Sequence, residues 1–380
     1  MNPLSTIKFY LNNKRRFVPL FAALMLSTFL LYMVRMLLDS MFLTSYNAKV
    51  EPQRYYSSIT SKGRVIDNDL LEEIKGLDGV DSVLPWVFRA TNFYSNIGGN
   101  IGTKVFTMMH DDMLVMMDKL GLSLKEGRLP EPGSREIVLH YRIARNKNLK
   151  IGDKIGSNTD KEESLQGERI LVGLLDGKSL VSFDSLETWM TDNHIDFAYR
   201  MGLIALPKPG MEAQVYQYFD SLHITGMEVR TFDSISIQNE RDTQNIKTVL
   251  TFMCLLIVII VSLCAGFLCY IYFMQRRQEF GLLNAMGYSR QFILARCCRE
   301  IGVLNLLGYT GGVVLSVAAG YLIDLLAYAP RGQILQIGNR DCFVTALSIP
   351  LFTILFGIIP IWRMLQRLEP VSVLEGGLDA

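Results

Sequence analysis

RRQEFGLLNAMGYSRQFILARCCRE, residues 276–300, lies between two of the most apolar stretches of the chain. It is rich in arginine, yet Phe280, Leu282, Leu283 and Met286 give it a small apolar patch of its own. Glu279 to Met286 reads as roughly two turns of helix, with Gly287 as the C-terminal stop and Ser289 as N-cap of the helix that follows. The pattern describes a short helix mounted at a membrane surface between two spans, its apolar side turned to headgroups or to a partner.

The flanks supply those spans. Half of the 380 residues are hydrophobic (49%) and the mean hydropathy is +0.22, too apolar for an ordinary soluble chain. Phe17 to Val34, Thr248 to Gln275, Ile301 to Ile323 and Cys342 to Trp362 carry no charge, and each reaches or approaches the ~20 residues that a bilayer-crossing helix needs. With flanks included, the expected spans are 17–39, 246–275, 301–325 and 342–362. The first run follows Lys14, Arg15 and Arg16, but it exceeds the ~7–15 apolar residues of a signal peptide and no small-residue cleavage site follows, so it reads as an uncleaved anchor.

Lysine and arginine in the short flanks set the expected orientation. Lys8, Lys14, Arg15 and Arg16 precede the first run, five arginines populate 276–300, and Arg363 and Arg367 follow the fourth. Only Arg331 and Arg340, beside Asp324 and Asp341, mark the loop 326–341. Both termini and 276–300 are therefore expected in the cytoplasm, and residues 40–245 outside it. The six cysteines (254, 264, 269, 297, 298 and 342) all lie in or beside the apolar runs, so the 40–245 segment must fold without disulfides.

Within that segment, DNDLLEEIKGLDGVDSVLPWVFRA reads as a capped helix and then a strand at about Val80 to Phe88. The pattern recurs as a helix from about Met211 to Leu222 and a strand near Met227 to Phe232. Two helix–strand units at opposite ends suggest an α+β subdomain of about 51–125 and 205–245, closed by both, with a mostly β insertion at about 127–204. The expected fold is a membrane protein of four transmembrane α-helices with a large α+β extracytoplasmic domain between helices 1 and 2.

Chemistry is sparse. No G-x-x-x-x-G-K-[ST] phosphate loop occurs, so any ATP must be bound by another chain. All four histidines (110, 140, 194 and 223) lie in the 40–245 segment; Met108 to Met117, MMHDDMLVMM, offers soft ligands, but reads as an amphipathic helix whose methionines fill the core. No nucleophile motif, metal-ligand spacing or cofactor signature appears, and a net charge of +1 gives no reason to expect nucleic acid. The apolar runs hold no ionisable group, which argues against a solute path between the helices. Gly308, Gly312, Ser316 and Gly320 recur at i+4 on the third run, a small-residue stripe for close packing on a helix of this chain or of a second copy.

RRQEFGLLNAMGYSRQFI is similar to the signature of the FtsX/MacB/LolC-type ABC transporter permeases (type VII), through Arg276, Arg277, Glu279, Gly281, Ala285 and Gly287. EGRLPEPGSREIVLHYRIARNKNLKIGDKI (126–155) resembles the exported domain of MacB-like permeases, LEPVSVLEGG (368–377) their cytoplasmic tail, and IKFYLNNKRR (7–16) their N-terminal amphipathic helix. Unlike MacB itself, the chain is expected to have no fused ATPase domain. The resemblance implies no catalysis by this chain, with ATP and Mg held by a separate cytoplasmic ABC ATPase. It also implies a second permease chain, identical or paralogous, and a bacterial inner-membrane location in contact with lipid. ATPase coupling would fall on Arg276, Arg277, Glu279, Gly281, Leu282, Ala285, Met286, Gly287 and Arg290. The expected function is mechanotransmission that exports or extracts a peptide, lipid or other amphiphile; the alternative is an FtsX-like regulator of an extracytoplasmic partner such as a cell-wall hydrolase.

Overall fold

The computed structural model describes residues 14–96 and 99–366, with side chains from residue 17 onward. The N-terminal amphipathic helix expected before residue 14 and the tail motif at 368–377 lie outside the described residues. Four helices are long and apolar enough to cross a membrane. They are α1 (Lys14–Lys49), α7 (Phe232–Met274), α9 (Arg290–Ile323) and α10 (Arg340–Gln366).

The chain divides into two compact units. The first is built from the chain up to Leu38, Lys247–Ile323 and the chain from Gln336. Its core takes Leu20 and Leu24 from α1, Ala265, Cys269, Tyr272 and Phe273 from α7, Ile293, Cys297, Ile301 and Leu304 from α9, and Ile361, Met364 and Leu365 from α10. Meanwhile Phe252, Ile260 and Phe267 of α7, Val314 of α9 and Leu351 of α10 are exposed. Rows of bare Phe, Ile and Leu on every helix are what lipid, not water, accommodates.

Glycine sets the closest helix contacts. A Cβ on Gly308 would stand 2.7 Å from Leu24 Cβ, and one on Gly312 would stand 2.6 Å from the Met25 carbonyl oxygen. Ser316 Oγ donates to the Phe29 carbonyl at 3.4 Å, and Gly320 faces Met36. The stripe on α9 therefore meets α1 of the same chain. A second contact was not foreseen from sequence: a Cβ on Gly266 of α7 would stand 2.9 Å from Phe356 Cβ on α10, beside Gly357.

The second unit, Asp39–Ile246 with Asp324–Leu335, carries two sheets. Strands β1 (Ser57–Ser61), β2 (Val80–Pro85), β10 (Gly202–Pro207) and β11 (Met227–Arg230) form a four-stranded antiparallel sheet in the order β11-β1-β10-β2. Helices α2 (Asn68–Lys75) and α6 (Glu212–Ser221) bury Leu71, Ile74, Val215 and Phe219 with its strands, so the two helix–strand units do close one subdomain. Asp67 caps α2 by accepting from the Leu70 amide at 3.0 Å.

A mixed seven-stranded sheet holds β3 (Val87–Tyr94), β4 (Asn100–Met108), β5 (Ser123–Gly127), β6 (Glu136–His140), β7 (Lys154–Ile155), β8 (Arg169–Asp176) and β9 (Val181–Ser185). The second subdomain thus begins at Val87, not near 127 as expected. Only Trp86 separates β3 from β2, which ends at Pro85, so the chain changes sheets with no intervening loop and no shift in composition. Trp86 is buried beside Tyr56 and Phe106, and Phe106 stacks on Phe183, an aromatic line that fills the core. Helix α3 (His110–Lys119) adds Met113, Met116 and Met117 to that core, so these methionines are packing. Helices α4 (Tyr141–Asn146) and α5 (Leu186–Asn193) complete the layer.

Two features bear on how the unit is held. Lys104 is buried on β4, where its ammonium donates to Gln53 Oε1 at 2.7 Å and to the Tyr56 hydroxyl at 3.0 Å; Gln53 in turn donates to the Arg230 carbonyl at 3.1 Å. The foot of α1 and the entry to α7 are thereby tied to one lysine, whose burial lowers its pKa to about 7. The segment 324–335 is stapled to the same unit: Asn96 donates to the Ala327 carbonyl at 3.2 Å, Gln333 to the Tyr94 carbonyl at 2.8 Å, and Asn146 to the Arg331 carbonyl at 2.9 Å. Helices α1 and α7 also run past their apolar stretches, to Lys49 and from Phe232, the latter capped by reciprocal hydrogen bonds between Thr231 and Ser234.

Candidate partner-docking site

Helix α8 (Arg277–Ala285) is the short helix expected between the second and third spans. The chain breaks after Met274 and turns through Gln275 and Arg276. Phe280 is the anchor: it is 1% exposed, stacks on Phe273 and enters the core to which all four long helices contribute. Leu283 packs against that core more shallowly.

Arg276 is also 1% exposed and works as a brace. It donates through Nη1 to Glu300 Oε2 at 2.5 Å and through Nε to Glu279 Oε2 at 3.0 Å, with the faces of Tyr272 and Phe280 against its guanidinium. Arg296, one turn before Glu300 on α9, donates to Glu300 Oε1 at 3.2 Å. Two guanidiniums and two carboxylates thus balance, with Arg276 and Glu300 buried and Glu279 at the rim, and a planar fork matches carboxylate oxygens well. Glu300, Arg296 and Tyr272 were not singled out from sequence. Half of the expected 276–300 loop, from Arg290 on, is the opening of α9, and that is how Arg296 and Glu300 come to face Arg276.

The far end of α8 closes with a Schellman turn. Tyr288 N–H donates to the Leu283 carbonyl and Gly287 N–H to the Asn284 carbonyl, both at 3.1 Å, with Gly287 at φ +92°. A Cβ on Gly287 would meet nothing within 4 Å, so glycine is there for its backbone sign and not for space. Ser289 then caps α9 by accepting from the Phe292 amide at 3.2 Å. Gly281 is buried against the bundle, whereas Arg277, Glu279, Ala285 and Arg290 face outward, Arg290 donating to the Gln366 carbonyl at 3.4 Å.

The outward face is apolar. Leu282 is 58% exposed and Met286 60%, with Tyr288 and Phe292 stacked on each other beyond them. Of the nine residues expected to couple, the structure therefore buries Arg276 and Gly281 as supports and presents Leu282, Ala285, Met286 and Gly287 together. The helix is firmly mounted and offers a leucine and a methionine at a capped turn, the kind of apolar projection that partner grooves bind.

Residues 250–367 match the model of the FtsX-like permease C-terminal domain. The match takes in the apolar part of α7 and the whole of α8, α9 and α10, so α8 and its capped turn lie inside it. Among solved structures, the chain is similar to the periplasmic region of MacB from Actinobacillus actinomycetemcomitans, at 14% identity over 53% of this chain and 98% of that one, with a TM-score of 0.31. It is similar also to the extracellular domain of the noncanonic ABC-type transporter YknZ from Gram-positive bacteria, at 11% identity over 46% of this chain and 100% of that one, with a TM-score of 0.30. No curated protein matches the chain.

Proposed function

We propose that this permease is the membrane subunit of an ABC transporter whose ATPase is a separate chain, and that the ATPase docks on α8 and the turn at Gly287. The observation that carries the reading is the contrast within α8: Phe280 and Arg276 fully buried, Leu282 and Met286 more than half exposed on the opposite side. ATP and Mg belong to the partner. Its closure would move α8, and through the bundle α1 and α7, which run on beyond their apolar stretches. The inserted α+β domain, on the far side of the membrane with both termini in the cytoplasm, would convert that motion into export or extraction of a peptide, lipid or other amphiphile. The helix cores support transport outside the bundle, since the apolar runs hold no ionisable group.

The test is co-purification with ABC ATPases of the same genome, co-expressed with this chain one at a time. Met286→Asp places a charge in the contact, and the expected loss of ATPase binding is roughly tenfold or more, the effect of about 1.4 kcal/mol or above. Membrane insertion and monomer stability should stay unchanged. Retention of the ATPase at the native level by Met286→Asp and by Leu282→Asp would overturn the reading.

A further inference from the structure

A cavity of about 420 Å³ opens beside the foot of α8, lined by Tyr270 and Met274 of α7, Arg277 of α8, and Pro360, Arg363 and Met364 of α10. Its wall contains two arginines and no acid. Arg276 and Arg296 are each matched to a carboxylate, but Arg277 and Arg363 make no ion pair or hydrogen bond among the described residues. Glu279, the nearest acid along the chain, is engaged by Arg276. The Tyr270 hydroxyl likewise has no partner among the described residues, so three donors line one space with no acceptor for them among those residues.

We propose that this cavity binds the headgroup of an anionic phospholipid. The two guanidiniums would hold the phosphate diester, charge-assisted at both ends, and Tyr270 would donate a third hydrogen bond. Depth favours a lipid over a free anion. The cavity sits where two apolar helices end, which is the headgroup level of a bilayer, and basic pockets between helices at that level suit acidic headgroups. Below it run the exposed side chains Phe267 and Ile271 on α7 and Leu355, Ile359 and Trp362 on α10, an apolar track for acyl chains. The methionines and Pro360 in the lining continue that track into the cavity. The proposal depends on the four spans alone; it stands or falls apart from the ATPase reading.

The experiment is native mass spectrometry of the detergent-purified full chain, titrated with phosphatidylglycerol and, separately, with phosphatidylcholine. One tightly retained phosphatidylglycerol per chain is expected, with phosphatidylcholine bound roughly tenfold more weakly or worse. Arg277→Gln combined with Arg363→Gln should erase the preference, and Tyr270→Phe should weaken binding by a smaller factor. Arg299→Gln, which removes an exposed arginine at the same end of the bundle but outside the cavity, should leave it intact. Equal retention of the two lipids, or loss of preference in Arg299→Gln to the same degree, would overturn the proposal. So would displacement of phosphatidylglycerol by equimolar inorganic phosphate, which would make the site one for a free anion. If phosphatidylglycerol binds only after residues 368–380 are deleted, the occupant is the chain's own acidic tail and the proposal fails.

Discussion

The membrane unit and the inserted domain each bury one carboxylate between two arginines. In the membrane unit Glu300 lies between Arg276 and Arg296; in the domain Asp184 lies between Arg89, at 2.5 Å, and Arg169, at 2.9 Å. The chemistry is the same and the use differs. Asp184 stands on β9 and draws in Arg89 from β3 and Arg169 from β8, so three strands of one sheet are fixed in register by a single side chain. Glu300 and Arg296 share a helix, and their partner comes from the turn where the chain leaves one helix for another. One triad stiffens a sheet already held by its ladder; the other, together with the Phe280 anchor, fixes the angle of a short helix. A buried ion pair gains little net stability against an apolar replacement, so its value in the membrane unit is positional.

Removing the central acid is the sharpest way to break the comparison. Asp184→Asn leaves two buried guanidiniums without a countercharge, and Glu300→Gln leaves Arg296 without one and Arg276 with Glu279 alone, each at an expected cost of roughly 3–5 kcal/mol. Hydrogen exchange on the full chain should show Asp184→Asn loosening β3, β8 and β9 together. Glu300→Gln should instead expose α8 to protease while the sheets stay protected. If both variants lower the melting temperature alike and neither effect is local, the positional difference is wrong.

The domain side also carries a pH handle. His140, at the end of β6 and three residues from Ile137, which pairs with Asp184, is buried; its Nε2 meets the Gly177 carbonyl at 3.0 Å and its Nδ1 accepts from the Arg142 amide at 3.2 Å. Burial and Arg142 lower its pKa to about 4, the hydrogen bond to Gly177 and Asp176 opposing. The folded form binds its proton less well than the unfolded chain, so the stabilisation is present above about 6.5 and is lost as pH falls toward 4. A loss of up to roughly 3 kcal/mol over that window is expected for the domain, read as faster hydrogen exchange in β6 and β8, and His140→Gln should flatten it.

The smallest effect belongs to Gly287→Ala. With open space around the Cβ, only the left-handed backbone resists it, costing roughly 1–2 kcal/mol at that turn. Thermal unfolding should barely move, but the exposed Met286 should shift, and a fall in ATPase co-purification well short of that in Met286→Asp would fit.

What the sequence let us read follows the same division. The four spans, the limits of α8, the Gly287 stop and the Ser289 cap rest on local rules, on bilayer thickness and on cap chemistry, and those were legible. So was the core role of Met113, Met116 and Met117, because their spacing is helical. The partner of Arg276 was not: Glu300 is 24 residues further on, and nothing local says that the start of α9 will turn back to face it. Arg276 therefore read as a surface cation when it is an internal brace, and Phe280 as part of an exposed patch when it is the anchor. The polar opening of α7 was missed since Phe232 to Lys247 has no apolar period, and the change of sheet at Trp86 since strands β2 and β3 are one continuous run.

Among the described residues every cysteine belongs to the membrane unit, four of the six are buried there, and the inserted domain has none. The domain is thus a blank canvas for thiol chemistry. A spin label or fluorophore placed on any surface position between 40 and 245 would report that domain alone once the exposed Cys264 and the half-buried Cys298 were changed to serine or alanine. Distances measured between such reporters, with the nucleotide cycle running and stalled, would turn the proposed stroke into ångströms.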